Sequence, residues 1–163
     1  IPTLADILTH FAGRTTLLIE IKDQTLRMAD TDGRLEQATA ALLAGYVGPV
    51  AVMSFNPHCI AHMARLAPAL PRGLTTSAYD PEDWHPIPPA TCAHLRDIPD
   101  YDRVQASFIS HEAADLARPG VAYLKRLGAA ILCWTIRSPE QEAMARQIAA
   151  NVTFEGYLSV IPA

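Results

Sequence analysis

The stretch LLIEIKD, residues 17–23, decides how this chain is read. It has the length and composition of a buried β-strand, yet it carries Glu20 and Lys22 and ends on Asp23. An unpaired charge is costly to bury, so the two charges form either a compensated pair or part of a site. Side chains alternate along a strand. Leu18, Glu20 and Lys22 therefore share one face, and Leu17, Ile19 and Ile21 share the other. The apolar face suits packing on helices. The mixed face begins at Leu18, expected deep in a core, and becomes charged toward the C-terminal end. Such an end can set a carboxylate for a divalent metal beside an ammonium for a phosphate oxygen. The plainer alternative is a solvated strand end with an ordinary ion pair, worth roughly 0–1 kcal/mol.

The flanking sequence alternates helix and strand. Before the stretch, Thr3 can cap a helix with Asp6 three residues on, and Leu4, Ile7, Leu8 and Phe11 form its apolar stripe up to Gly13. After it, Asp30-Thr31-Asp32-Gly33 is a turn. Leu35, Thr39, Leu42, Leu43 and Tyr46 then mark a helix face. Residues 49–55 are a strand, and Asn56-Pro57 is an N-cap with proline at the first helical position. A strand at 72–76 leads into a proline-rich loop at about 77–90, with a short helix near 89–96. The run VQASFIS, 104–110, is expected as a strand, followed by helical patterning to Leu127 that breaks near Pro119-Gly120. A strand at 129–136, a helix opened by Ser138-Pro139-Glu140-Gln141 and a last strand at about 153–160 complete the chain. The count is six strands in one domain, without an interdomain linker or a sequence repeat.

Composition bounds the function. Of 163 residues half are apolar and 18% are charged, which suits a buried globular domain. The net charge of −4 and the lack of a Lys/Arg cluster argue against nucleic acid. No apolar run reaches the ~20 residues of a membrane span. Cys59, Cys92 and Cys133 form no CxxC and indicate neither a disulfide framework nor structural zinc. The chain opens on Ile1 without a signal-peptide pattern, so a truncated start and a cytoplasmic setting are expected.

Near-continuous apolar strands alternating with amphipathic helices mean a parallel sheet covered by helices. Length alone favours an open, doubly wound sheet, since a (β/α)8 barrel takes about 250 residues and at least about 200. The strand ends favour the barrel. No glycine-rich phosphate loop follows any strand. Polar or aromatic groups instead sit near several strand C-termini: Glu20 and Lys22, Ser54, Thr75 and Thr76, Ser110 and His111, Trp134 and Arg137.

With these residues in view, LLIEIKD resembles the E-x-K strand of the glycerophosphodiester phosphodiesterase family, whose fold is a (β/α)8 barrel. PTLADIL resembles the family's helix before that strand, VMSF its serine-phenylalanine strand end, and CWTIR its V-W-T-V-N strand. FEGYLSVIP resembles the closing D-G-I-x-T-D-x-P strand and turn. The resemblance implies a TIM-type barrel, incomplete in this chain, supplying roughly barrel strands 3 to 8. It implies metal-dependent hydrolysis of a glycerophosphodiester to an alcohol and glycerol phosphate, in lipid and glycerol metabolism. Glu20 matches a ligand of a divalent cation, Mg or Ca. Lys22 matches the phosphate-contacting lysine, and Trp134 an aromatic at the substrate end. Ser54, His111 and Arg137 are further candidates for substrate contact. The family's general acid and base histidines lie in units not present here. Two positions depart from the pattern: Val160 stands at the closing aspartate, and Arg137 at the asparagine after W-T-V.

Other groups are weaker. His58 and His62 are spaced as a helical metal pair, which an exposed helix face explains equally well. The long loop, with Tyr79, Trp84 and His85, can cover substrate or be a surface excursion. The 30–33 turn lacks the rest of a calcium loop, and Asn151-Val152-Thr153 is a glycosylation sequon by spelling only. The alternatives to catalysis are a degenerate barrel that binds a phosphate ester and a doubly wound small-molecule domain. An incomplete ring leaves two sheet edges, to be filled by more chain, a partner element or a second copy in a homo-oligomer.

Overall fold

A computed structural model describes residues 1–160. The chain divides into two compact units: residues 1–74 with 100–106, and residues 75–99 with those from 107 onward.

The first unit holds α1 (Leu4–Phe11), β1 (Leu17–Glu20), α2 (Arg34–Leu43), β2 (Val50–Ser54), α3 (Pro57–Leu66) and the opening of β3 (Arg72–Thr76). Thr3 caps α1 through a reciprocal box with Asp6. At Gly13 (φ +77°) the backbone turns so close to Val47 that a Cβ would run into its carbonyl. β1 pairs parallel with β2, Leu17 opposite Val50, and β2 pairs parallel with β3, Val52 opposite Arg72. Parallel neighbours need a crossover, which α2 and α3 supply. The alternation in LLIEIKD appears as expected on one side. Leu17, Ile19 and Ile21 face a core of Leu8, Leu43, Val52, Cys59 and Met63 from all three helices and β2. Full burial of such side chains is worth about 1.5–3 kcal/mol each. The other face differs from expectation: Leu18 is 39% exposed rather than deep in a core. Arg72, buried at the start of β3, donates to the carbonyls of Gln105, Ala67 and Pro68, which ties residues 100–106 to the loop after α3.

The second unit holds the end of β3, α4 (Pro89–Arg96), β4 (Phe108–Glu112), a 3₁₀ turn (Ala113–Asp115), α5 (Pro119–Arg126), β5 (Ala130–Ile136), α6 (Pro139–Ala145) and β6 (Asn151–Phe154). β4, β5 and β6 pair parallel in chain order, with a register shift between Cys133 and Ile136. Neither unit contains a strand-order reversal of the kind that places a doubly wound site. Proline opens four helices at their first turn, at 57, 89, 119 and 139, where its missing N–H costs nothing. Pro119-Gly120 thus starts α5 instead of breaking a longer helix.

Two strands lie elsewhere than expected. β4 begins at Phe108, not residue 104, because residues 101–105 are turns and Val104 is buried within them. β6 ends at Phe154, and the Tyr157 and Ser159 hydroxyls instead reach back to the Glu142 carboxylate on α6. Of the closing motif, Ile161 and Pro162 lie outside the described residues.

Candidate functional site

In the first unit the polar groups collect at the C-terminal end of β1. Glu20 projects from the same face as Leu18 with 22% of its side chain exposed. Lys22, just past the strand and 74% exposed, places Nζ 2.7 Å from Glu20 Oε1. The two are a compensated pair at an accessible strand end. Asp23 has a different task. It accepts from the Thr25 N–H and hydroxyl, the Met28 N–H and the Asn56 amide at 2.8–3.2 Å. Burial pushes its carboxyl up, but these donors outweigh burial and the net shift is down. Asp23 therefore folds the 23–29 loop against the N-cap of α3.

Ser54 is also internal. Its hydroxyl donates to the Ile21 carbonyl at 2.6 Å and accepts from the Asn56 N–H, at 0% exposure. It locks the end of β2 to the end of β1 and has no surface to offer a phosphate. This corrects the expectation of substrate contact: the serine fixes the backbone below Lys22.

In the second unit, strand parity sorts the residues. Glu112 is in register with Trp134, and His111 with Cys133, across β4 and β5. Neighbours in register point the same way, so Glu112 and Trp134 share one face and His111 lies on the opposite one. His111 is 0% exposed, with Nδ1 2.8 Å from Thr76 Oγ1 and Nε2 3.2 Å from Asp115 Oδ2. Burial pulls its pKa down, only partly countered by the Asp115 carboxylate. The expectation that His111 lines the site is thus corrected: strand β4 continues two residues further than its apolar pattern suggested, which turns the histidine inward and brings Glu112 to the strand end.

Trp134 is half-buried and donates its indole N–H to the Ser110 carbonyl at 3.0 Å. Glu112 accepts from the Ala78 N–H at 3.3 Å. These two residues line a cavity of about 480 Å³ together with Asp80, Asp83, Trp84 and Asp115. Arg137, 66% exposed, pairs with Glu155 through Nη2 at 2.6 Å and Nε at 2.9 Å. With Trp134 it borders a second, more apolar hollow of about 560 Å³ reaching Leu116, Met144 and Ile148. Sequence reasoning missed Glu112, Asp80 and Asp83; a β4 ending at 112 would have revealed the first by parity with Trp134.

The donor set does not by itself make a metal centre. Among the described residues no group of three or more His, Cys, Asp or Glu could hold a metal ion. Glu20 offers one carboxylate, whereas hard cations take about six or more oxygens, some of them from water. His58 and His62 lie within 3.7 Å and 3.4 Å of Asp30 Oδ1, as helix-to-loop contacts.

No curated protein sequence matches this chain. Solved structures do. A glycerophosphodiester phosphodiesterase from Parabacteroides distasonis superposes with TM-score 0.66 at 18% identity, over 94% of this chain and 59% of its own. An Oleispira antarctica phosphodiesterase, in complex with the product sn-glycerol-3-phosphate, gives 0.64 at 19% over 94% and 57%. The glycerophosphodiester phosphodiesterase of Agrobacterium tumefaciens gives 0.59 at 22% over 94% and 58%. This chain therefore spans less than two thirds of the length of these structures. The likeness shows the fold: a TIM-type barrel, incomplete in this chain, with six of its parallel strands. The model of the glycerophosphoryl diester phosphodiesterase family matches residues 1–154, and the chain belongs to that family.

Proposed function

We propose that the whole protein hydrolyses a glycerophosphodiester to an alcohol and glycerol phosphate, and serves the turnover of lipid head groups. The observation that carries this reading is the Glu20–Lys22 pair at the end of β1, at an accessible strand terminus and in a stretch that resembles the family's E-x-K strand. Hydrolysis breaks the bond between phosphorus and the alcohol oxygen as water adds to phosphorus. Negative charge builds on the non-bridging oxygens, and a fixed cation there lowers the barrier. Lys22 Nζ supplies it, and Glu20 holds the ammonium in place while the site is empty of substrate. The resemblance makes Glu20 one carboxylate of a divalent cation's ligand set, a set these residues do not complete, so no step is drawn through the ion. The proton for the leaving alkoxide has no donor among the residues assigned here.

The test is release of alcohol from glycerophosphodiesters by the full-length protein, with and without chelator. Activity is expected to vanish on chelation and return with Mg or Ca. Glu20→Gln and Lys22→Ala should each lower kcat/KM by about 10²-fold or more. Unchanged turnover in Glu20→Gln would remove the assignment.

A second reading is a barrel that binds a phosphate ester without cleaving it. Val160 at the closing aspartate position and the inward turn of His111 favour it. Calorimetric titration with sn-glycerol 3-phosphate, showing tight binding in the absence of any turnover, would select that reading.

A further inference from the structure

Asn56 does more than its place at the start of α3 requires. A cap needs one acceptor, and serine, threonine or aspartate supplies it as well. Asn56 uses Oδ1 for that task, accepting from the His58 N–H at 2.9 Å. The two amide hydrogens remain, and both are used, at 0% exposure. They go to Asp23 Oδ1 and to the Ala29 carbonyl, each at 2.8 Å. A single buried amide thus holds both ends of the 23–29 loop.

That loop does not keep its course by itself. Leu26 and Met28 sit at φ +58° and +55°, left-handed backbone that side chains disfavour. The N–H groups of residues 25, 27, 28 and 29 are met by the Asp23 carboxylate and the Thr25 hydroxyl. Asp23 therefore organises the loop and is also the point at which Asn56 grips it.

Lys22 lies between two such grips. On its N-terminal side, Ile21 donates its N–H to the Met53 carbonyl at 2.8 Å, and its carbonyl accepts from the Ser54 hydroxyl at 2.6 Å. On its C-terminal side, Asp23 is held by Asn56. Ser54 and Asn56 are themselves joined, since Ser54 Oγ accepts from the Asn56 N–H at 3.1 Å. Lys22 has left the strand, so the sheet ladder does not fix it. The ties from the β2–α3 junction fix its backbone, and Glu20, 2.7 Å away, seats its ammonium. A displacement of about 1 Å in such a group can cost about 10²-fold in rate.

We propose that Asn56 is a positioning residue: through Asp23 it sets where the Lys22 ammonium stands beside Glu20, and so where that cation meets the phosphoryl oxygens. The placement is a property of the fold alone. Its effect on rate rests on the phosphodiesterase reading.

The test separates the two. Asn56→Ser keeps the cap and removes the amide, and should retain the circular dichroism of the parent. Brief acetylation of full-length protein, read by mass spectrometry, compares Lys22 with Lys125, whose ammonium donates to the Ile148 carbonyl in the second unit. Asn56→Ser should raise the Lys22 rate relative to Lys125 several-fold, since an ammonium seated on a carboxylate is shielded. In Glu20→Gln, where the seat is already gone, the same substitution should add nothing. Asp23→Asn weakens the same bond from the other side and should act in the same direction. Unchanged labelling of Lys22 in Asn56→Ser overturns the placement whether or not the protein hydrolyses diesters. Turnover reads the second half. Asn56→Ser should lower kcat about tenfold in the parent, and less than about twofold in Lys22→Ala. A residue that merely stabilised the fold would cost the same in both backgrounds, and equal losses overturn the assignment. Faster labelling without cleavage of any diester supports the placement and overturns the hydrolytic reading.

Discussion

His111 is enclosed with Thr76 on one ring nitrogen and Asp115 on the other. A neutral ring satisfies both: Nε2–H donates to the Asp115 carboxylate, and Nδ1 accepts from the Thr76 hydroxyl. Burial lowers its folded pKa below the 6.5 of the unfolded chain. The unfolded state therefore binds the extra proton first, and acid favours unfolding. The contribution is fully present above about pH 7 and is lost as pH falls through 6.5 toward the folded value, at no more than about 1.4 kcal/mol per pH unit. Urea midpoints followed from about pH 7.5 to about pH 5.5 should fall more steeply for the parent than for His111→Gln. Parallel curves would show that the ring does not stay neutral. The same residue marks where side-chain roles were legible in the sequence and where they were not. Alternation alone put Leu17, Ile19 and Ile21 on the face that packs on the helices, because that strand's limits were nearly right, though it placed Leu18 too deep. On β4 the limits were wrong by two residues at the end, and the polar pair His111-Glu112 was read as the wrong one facing outward.

Caps were the most legible feature of the elements. Thr3, Asn56 and Ser138 all accept the backbone N–H that their positions imply, since a cap depends only on residues within one turn. β4 was misplaced because Val104 is buried by packing of the 100–106 segment, and local pattern cannot tell that from a strand. Asn56 shows how far one cap reaches. Its Oδ1 accepts from the His58 N–H, and its amide donates to Asp23 Oδ1 and to the Ala29 carbonyl, each at 2.8 Å. It joins α3, the end of β1 and the 23–29 loop. Asn56→Ala removes a cap, strands the Ala29 carbonyl and takes one of several donors from the Asp23 carboxylate, for an expected loss of about 2–4 kcal/mol. Asn56→Ser keeps the cap and loses the amide, and should fall between. Urea denaturation checks both. A loss for Asn56→Ala of only a few tenths would mean the loop finds other donors.

At the scale of the whole chain, length pointed to the wrong architecture and the strand ends to the right one, because a barrel spreads its chemistry over many strand termini. What the sequence could not indicate is how much apolar strand face remains uncovered. Leu18 is 39% exposed and Phe154 42%, and among the described residues β1 pairs only with β2 and β6 only with β5. Net charge is what opposes association of such faces. The sequence has 17 acidic and 13 basic residues and a pI near 5.8. Folding moves that point. Burial shifts His111 toward its neutral form, so the folded chain carries less positive charge than a chain of free histidines and crosses neutrality at a lower pH. Light scattering of the 163-residue chain should therefore peak somewhat below pH 5.8 and decline on either side. Leu18→Ser with Phe154→Ser removes apolar surface without altering charge. It should lower the peak and leave its pH unchanged; a peak of undiminished height would place the sticky surface elsewhere than on these strand faces.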